Sequence, residues 1–261
     1  MAYAKDRLGR LASRIVFLSI ADSTNDVASR FVTSEVHEGV VVVADSQTAG
    51  RGRRGHLWLS PPGGGVYVSV VLTPARARDP ARATKLITLA AGVALAEGIE
   101  AVTGFRADLK WPNDLYVERR KLGGILAEGV SAGTGARGSS VDAVVLGYGI
   151  NVGVTVFPPD LAGRATSLEI ELGRPVDRAR VFAETLVALA RRYDDLLACR
   201  FDAILDEWRA RAPGGRGARV SWTTPLGTQI GVTDGIDDDG ALLVRGGGWT
   251  ERIVAGELTW L

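Results

Sequence analysis

The chain has 261 residues, of which 46% are hydrophobic and 23% are charged, a composition typical of a soluble globular protein. The charges of the 31 basic and 30 acidic side chains nearly cancel, which argues against a nucleic-acid-binding surface spread over the whole molecule. The single cysteine, Cys199, excludes an intrachain disulfide and a cysteine-rich metal site. Because the N-terminus lacks a signal-peptide pattern and no apolar run approaches the ~20 residues that span a bilayer, we expect a cytoplasmic protein without a membrane segment.

Segments rich in valine and isoleucine predict six strands in the first part of the chain. They are RIVFLSI (14–20), GVVVVADSQ (39–47), GVYVSVVLT (65–73), ADLKW (107–111), LGGILAEGV (122–130) and DAVVLGYGINVGV (142–154). The glycine-rich segment 131–140 predicts a hairpin loop between the last two strands.

Three helices are predicted from apolar periodicity. The first begins near Ser23, where a serine or aspartate can cap it; the second covers 82–102, and the third covers 177–212 with a break near Arg200. Helices fall between groups of strands without strict alternation, which favours an α+β fold over a doubly wound sheet.

The last part of the chain has a different pattern. After the glycine-rich segment 212–218 come four short strand-like segments separated by turn signals such as Asp234-Gly235 and Asp239-Gly240. This pattern predicts a small β-barrel. We therefore expect a catalytic domain over residues 1–213 and a small C-terminal domain over residues 214–261.

The segment after the second predicted strand contains Gly50, Gly52 and Gly55, which satisfy a dinucleotide-binding G-x-G-x-x-G pattern. That interpretation fails, because Pro61 and Pro62 exclude the helix that must follow and no carboxylate lies near position 70. Between the glycines stand three arginines, whose side chains add positive charge to exposed backbone N–H groups: Arg51, Arg53 and Arg54. The loop predicts a site for phosphate or carboxylate; the alternative is a solvated basic loop.

Three further segments carry candidate site residues, each with a plain structural alternative. Lys110 ends a strand directly before Trp111-Pro112, with Asn113 and Asp114 just beyond; a snorkelling surface lysine is the alternative. Asn151 follows a run of small residues and can approach a ligand, or is simply a turn asparagine. The segment Ser23-Thr24-Asn25 offers polar groups at a helix start, although capping alone would explain Ser23.

Taken in order, these motifs resemble the biotin protein ligases (biotin–[acetyl-CoA-carboxylase] ligases) over about residues 15–261. The motifs are S-T-N, then Q-T-A-G-R-G-R-R-G with W-x-S-P, then K-W-P-N-D, K-L-G-G-I-L-A-E and G-x-G-I-N-V. The resemblance implies a central mixed β-sheet related to class II aminoacyl-tRNA synthetases, followed by an SH3-like barrel. His56 departs from the family pattern, so no phosphate contact is implied there. Because 22 residues before Ser23 are too few for a winged helix, the resemblance is to the monofunctional type without operator binding.

The resemblance also implies a reaction and its residues. Biotin and ATP form biotinyl-5′-AMP, and a lysine of a biotin carboxyl carrier domain then accepts the biotin; Mg²⁺ is expected with ATP, with Asp114 the one residue considered as its ligand. Lys110, Arg51 and Arg53 are the implied catalytic residues. Biotin contacts are implied for Ser23, Thr24, Asn25, Gln47, Gly50, Arg51, Gly52, Arg53, Lys110, Gly123 and Gly124, and ATP or adenylate contacts for Arg51, Arg53, Arg54, Trp58, Lys110, Asn113 and Asn151.

Three other functions remain open at this point. A lipoate ligase or octanoyltransferase has a related fold. An octanoyltransferase needs a cysteine nucleophile, but Cys199 lies in the long predicted helix, where a buried structural thiol is expected. A regulator that binds a small anion and DNA is disfavoured by the near-zero net charge. A fold-mate that binds biotin without turnover is disfavoured by the intact Lys110, Arg51 and Arg53. We expect no nucleic-acid or membrane partner, and the sequence leaves the oligomeric state open.

Overall fold

A computed structural model of the chain describes residues 6–32, 38–131, 143–153, 157–224 and 227–261. Apart from Ser131, the predicted hairpin loop lies outside the described residues.

A seven-stranded mixed sheet forms the centre of the larger part of the chain. Its strands are β1 (Arg14–Ala21), β2 (Val40–Gln47), β3 (Gly65–Leu72), β4 (Asp108–Lys110), β5 (Asp114–Val117), β6 (Arg120–Val130) and β7 (Ala143–Asn151). Their order is β1-β2-β3-β7-β6-β5-β4; β1 and β2 are parallel and the other pairs are antiparallel. All six predicted strands are present, while β5 was not predicted. The α+β class is confirmed.

A second sheet, of five antiparallel strands, follows in the C-terminal part. Its strands are β8 (Arg216–Thr224), β9 (Gly227–Ile236), β10 (Leu242–Gly246), β11 (Trp249–Ile253) and β12 (Thr259–Trp260). Their order is β11-β10-β9-β8-β12, so the last residues of the chain form an edge strand against β8.

Five α-helices connect and cover the sheets: α1 (Thr24–Ser29), α2 (Pro80–Thr103), α3 (Leu168–Leu172), α4 (Arg178–Leu197) and α5 (Phe201–Arg211). The predicted break near Arg200 is confirmed, since α4 ends before it and α5 begins after it. Cys199 therefore lies in the turn between two helices, with a φ of 58°, and not within one helix as predicted. The capping prediction for Ser23 is wrong: it stands at the N-cap position, but its side chain makes no capping hydrogen bond.

Helix α2 packs in the hydrophobic core beside the seven-stranded sheet. Leu86, Leu95 and Ile99 are fully buried, and burial of each such side chain contributes roughly 1.5–3 kcal/mol. Gly98 lets α4 approach, because a Cβ there would lie 2.5 Å from the Thr185 Cα. By length and hydropathy α2 could cross a membrane, contrary to the sequence-based expectation, but 67% of its most apolar window is buried inside the protein. It is a core helix.

The two sheets are held together by contacts through α2 and β4. The Trp111 indole Nε1 donates to the Gly240 carbonyl oxygen at 2.9 Å, and Lys85 Nζ lies 2.9 Å from Asp239 Oδ2. Gly240, with a φ of 78°, packs against Leu86. These contacts bring the C-terminal residues beside the β4–β5 end of the large sheet.

Candidate active site

The cleft between the two sheets has a volume of about 560 Å³, within the usual range for a small-molecule site. It brings together every predicted site residue except Gly50 and Gly123. The predicted residues that line it are Ser23, Thr24, Asn25, Gln47, Arg51, Gly52, Arg53, Arg54, Trp58, Lys110, Asn113, Gly124 and Asn151. The arginine loop and Lys110 thus face one cavity.

Glycines on β6 and β7 form the floor of the cleft. Gly124 and Gly149 are register partners, and the Trp58 indole lies against both. A Cβ at Gly149 would overlap that indole. The buried Trp58 Nε1 has no hydrogen-bond acceptor among the residues that the structure describes. Because buried polar atoms are normally paired, this N–H is available to a ligand acceptor.

The two predicted glycines that do not line the cleft have other roles. Successive residues of a strand face opposite sides of the sheet, and a Cβ at Gly123 would point toward Leu115, 3.6 Å from its Cβ. Gly50 accepts a hydrogen bond from the Trp58 backbone N–H at 2.8 Å and has no room for a side chain beside Ser60. Gly123 therefore serves the core, and Gly50 the shape of the loop.

One end of the cleft is polar and buried. Ser23, Thr24 and Asn25 are 2%, 4% and 4% exposed. The Gln47 side-chain oxygen accepts from the Thr24 backbone N–H at 2.8 Å, and its amide nitrogen donates to Ser60 Oγ at 2.8 Å. No local pattern predicts this network, which fixes the orientation of the Gln47 amide and pairs the Thr24 N–H.

Arg51 is paired with two carboxylates in this structure. Its Nη2 lies 2.8 Å from Glu128 Oε2 and 2.9 Å from Asp26 Oδ1. Glu128 also accepts from Asn25 Nδ2 at 2.6 Å. The K-L-G-G-I-L-A-E motif contains Glu128, but only the fold shows that its carboxylate faces Arg51.

Arg53 connects the loop to both sheets. Its Nη1 donates to Asn113 Oδ1 at 3.1 Å and to the Gly256 carbonyl oxygen at 3.3 Å. Burial, and then the neighbouring charge of Arg54, lower the pKa of the Arg53 guanidinium from its ordinary value. Arg54 is exposed at the cleft, and its φ is 56°.

Two lysines reach the cleft, Lys110 from β4 and Lys121 from β6, with β5 between these strands. Burial lowers the pKa of Lys110 from its ordinary value; Asp114 opposes this effect and Lys121 adds to it. Lys121 Nζ lies 2.6 Å from Asp114 Oδ1 and 5.6 Å from the centre of the Trp58 ring. Lys121 was not selected from the sequence, although the K-L-G-G motif begins with it.

The two asparagines predicted to contact the adenylate are held by the backbone. Asn113 Nδ2 donates to the Ile125 carbonyl oxygen at 2.7 Å, and Asn151 Nδ2 donates to the Thr166 carbonyl oxygen at 2.9 Å. Each amide is therefore fixed in orientation, with its nitrogen committed to the fold.

The C-terminal sheet contributes lining residues that sequence reasoning missed. They are Gly256, Glu257, Leu258, Thr259 and Trp260. His56 Nε2 lies 3.8 Å from Glu257 Oε2, and both side chains are exposed. These residues are some 200 positions from the loop they meet, so no local pattern could place them there.

Comparison with known proteins gives a consistent result. Residues 16–151 match the Biotin/lipoate A/B protein ligase family. The chain is 37% identical to a bifunctional ligase/repressor BirA of Bacillus spizizenii, over 90% of this chain and 70% of that protein. It is 35% identical to the biotin–[acetyl-CoA-carboxylase] ligase of Mycobacterium tuberculosis, over 92% of this chain and 86% of that protein. The solved biotin protein ligase from Aquifex aeolicus, in complex with biotin and ATP, superposes with a TM-score of 0.79 at 28% identity, over 95% of this chain and 99% of that chain.

Proposed function

The chain belongs to the biotin/lipoate A/B protein ligase family, and we propose that it is a biotin protein ligase of that family. It activates biotin with ATP to biotinyl-5′-AMP and transfers the biotin to a lysine of a biotin carboxyl carrier domain. The observation that carries the proposal is the shared cleft, in which the three arginines of the loop and two lysines line a polar pocket beside glycine-containing strands.

In the first step, a biotin carboxylate oxygen attacks the α-phosphorus of ATP, and the bond to the bridging oxygen breaks as pyrophosphate leaves. Two anions must approach each other, so the site needs fixed positive charge more than an acid–base pair. Lys110 offsets the repulsion between carboxylate and α-phosphate. Lys121, on the adjacent part of the sheet, and Arg53 add donors, and Arg51 exchanges Glu128 and Asp26 for ligand oxygens.

In the second step, the acceptor lysine amine attacks the acyl carbon of the mixed anhydride, and AMP leaves. Water competes with that amine, so the intermediate must be covered. The loop 50–58 serves this purpose: Arg53 connects it to Asn113 on one side and to Gly256 on the other. Trp58 lies over the glycine floor with an unpaired N–H.

Substrate contacts divide along the cleft. Ser23, Thr24, Asn25 and Gln47 form the buried polar end, which suits the ureido ring of biotin, while Gly52 and Gly124 let backbone approach the ligand. Trp58, Arg54, Asn113 and Asn151 are assigned to the adenylate.

Magnesium is expected to enter with the phosphates of ATP. In the part of the chain that the structure describes, no group of three or more histidine, cysteine, aspartate or glutamate side chains could hold a metal ion. Asp114, the residue considered from the sequence, is held by Lys121 at 2.6 Å and fits a magnesium ligand poorly.

Lipoate ligation and octanoyl transfer are disfavoured. The curated relatives described above carry biotin ligase or ligase/repressor names. Cys199 lies between α4 and α5 and does not line the cleft, so it cannot act there as a nucleophile.

Several finer features belong to the same proposal. The five-stranded sheet is an SH3-like domain that begins at residue 214, and the larger domain, 1–213, is related to class II aminoacyl-tRNA synthetases. The acceptor is the carrier domain of a biotin-dependent carboxylase, and the site of action is the cytoplasm.

The test is incubation with ATP, Mg²⁺, biotin and a carrier domain, read out by avidin binding. We expect one biotin per carrier, dependent on ATP and on the carrier's acceptor lysine. A carrier that stays unlabelled while a known ligase labels it would refute the proposal.

A further inference from the structure

Lys110 is held differently from the other cations of the cleft. Its Nζ lies 4.8 Å from the centre of the Tyr116 ring and 4.9 Å from the centre of the Trp260 ring. The two rings are 5.4 Å apart and inclined at 57°. Among the residues that the structure describes, Lys110 has no carboxylate within ion-pair distance, whereas Lys121 lies beside Asp114 and Arg51 lies beside two carboxylates.

This difference matters for a reaction between two anions. A carboxylate partner neutralises a cation and must be displaced before the cation can serve a ligand. An aromatic face attracts an ammonium without accepting its protons. Between two rings, the Lys110 ammonium is confined in position while its N–H groups remain free for incoming oxygens.

The two rings come from different sheets. Tyr116 lies on β5, whose register places Asp108 opposite Tyr116 and Asp114 opposite Lys110. Trp260 lies on β12, paired with Val220 of β8, and its indole packs on Gly214, where a Cβ would approach within 2.8 Å. The C-terminal edge strand therefore delivers one ring to a lysine of the large sheet.

We propose that Trp260 is a positioning residue for adenylation: with Tyr116 it forms a two-ring clamp that holds the Lys110 ammonium at the point where carboxylate and α-phosphate meet. The C-terminal sheet thus supplies part of the geometry of the reacting site. This inference rests on the proposed function, because the clamp has a purpose only where Lys110 faces two anions.

The experiment compares Trp260→Leu, Trp260→Phe and Trp249→Leu in biotin-dependent ATP–pyrophosphate exchange. Trp249 is the matched control, since it lies on the same sheet against Trp222 and does not line the cleft. We expect Trp260→Leu to lower kcat by about 2- to 30-fold, the range that one cation–π contact represents, with the KM for biotin nearly unchanged. Trp260→Phe should recover most of the rate, and Trp249→Leu should match the wild type.

A second readout needs no substrate. The chain has four lysines, so ¹³C-lysine labelling gives few Nε-methylene resonances, and a Lys110→Arg variant assigns one of them. Ring currents should shift the Lys110 resonance upfield in the wild type, and Trp260→Leu should reduce that shift while Trp249→Leu leaves it.

The outcomes separate a failure of the positioning role of Trp260 from a failure of the proposed function. A wild-type kcat in Trp260→Leu, a loss confined to KM, an equal loss in Trp260→Phe, or an unchanged Lys110 resonance would overturn the positioning role. Absence of exchange in the wild type would instead refute the proposed function, and the positioning role with it.

Discussion

Replacement of Lys110 by methionine removes one positive charge and keeps a side chain of similar length. Lys110 has no carboxylate partner among the described residues, so its full charge is available to the reacting anions. Loss of one well-placed transition-state donor costs about 3–4 kcal/mol, or 10²–10³ in rate. Burial lowers the pKa of Lys110, because transferring its positive charge from water into the fold costs free energy. Lys110→Met should therefore leave the free energy of unfolding unchanged or raise it.

The assay is biotin-dependent ATP–pyrophosphate exchange, with thermal unfolding measured on the same preparations. Lys85→Met is the matched control, because Lys85 forms an exposed ion pair with Asp239, worth at most about 1 kcal/mol, and lies outside the cleft. We expect Lys110→Met to lose about 10²–10³ in exchange rate and Lys85→Met to lose almost none. Near-normal exchange in Lys110→Met would show that its charge is not used, and a large fall in its Tm would show that it serves the fold.

Three further changes test other parts of the site. Arg53→Gly removes the contacts with Asn113 and Gly256 that close the loop, so biotinyl-AMP should escape from the cleft. Mass spectrometry should then find biotin on lysines of a bystander protein. Labelling confined to the carrier would contradict this. Lys110 acts in its protonated form and burial lowers its pKa, so kcat/KM should fall as pH rises through that lowered pKa. Lys110→Arg stays protonated and should move this fall to higher pH. A fall at the same pH in Lys110→Arg would show that another group titrates there. Gly149→Ala places a Cβ in the Trp58 indole and should weaken ATP binding in calorimetry, whereas Gly247→Ala, with open space around it, should not. Equal ATP affinities in the two variants would contradict the assignment of Trp58 to the adenylate.

The elements with strong local signals could be predicted from the sequence. The valine-rich strands, the apolar helix α2 and the break near Arg200 all follow from periodicity and composition. Strand β5 was missed because it has only four residues and begins within a motif that reads as a loop. The face of Gly123 was misjudged because two adjacent glycines on a strand must point to opposite sides, and only the pairing of β6 with β7 shows which one meets the cleft.

The positively charged residues of the site could also be predicted from the sequence, but the side chains that contact them could not. Arg51, Arg53 and Lys110 stand in motifs that indicate anion binding. The carboxylate that neutralises Arg51 is 77 positions away, and the ring that Trp260 places beside Lys110 is 150 positions away. Contacts of this kind arise from tertiary packing, which local propensity does not encode. They also distinguish Arg51 and Lys121, which have carboxylate partners, from Lys110, which has none among the described residues.

The most direct measurement is pyrophosphate exchange by the wild-type chain with biotin and with lipoate at equal concentrations. Rapid exchange of label into ATP with biotin, and none above background with lipoate, is the expected result. Equal exchange rates with lipoate and biotin, or no exchange with either acid, would contradict the assignment of the cleft to biotin activation.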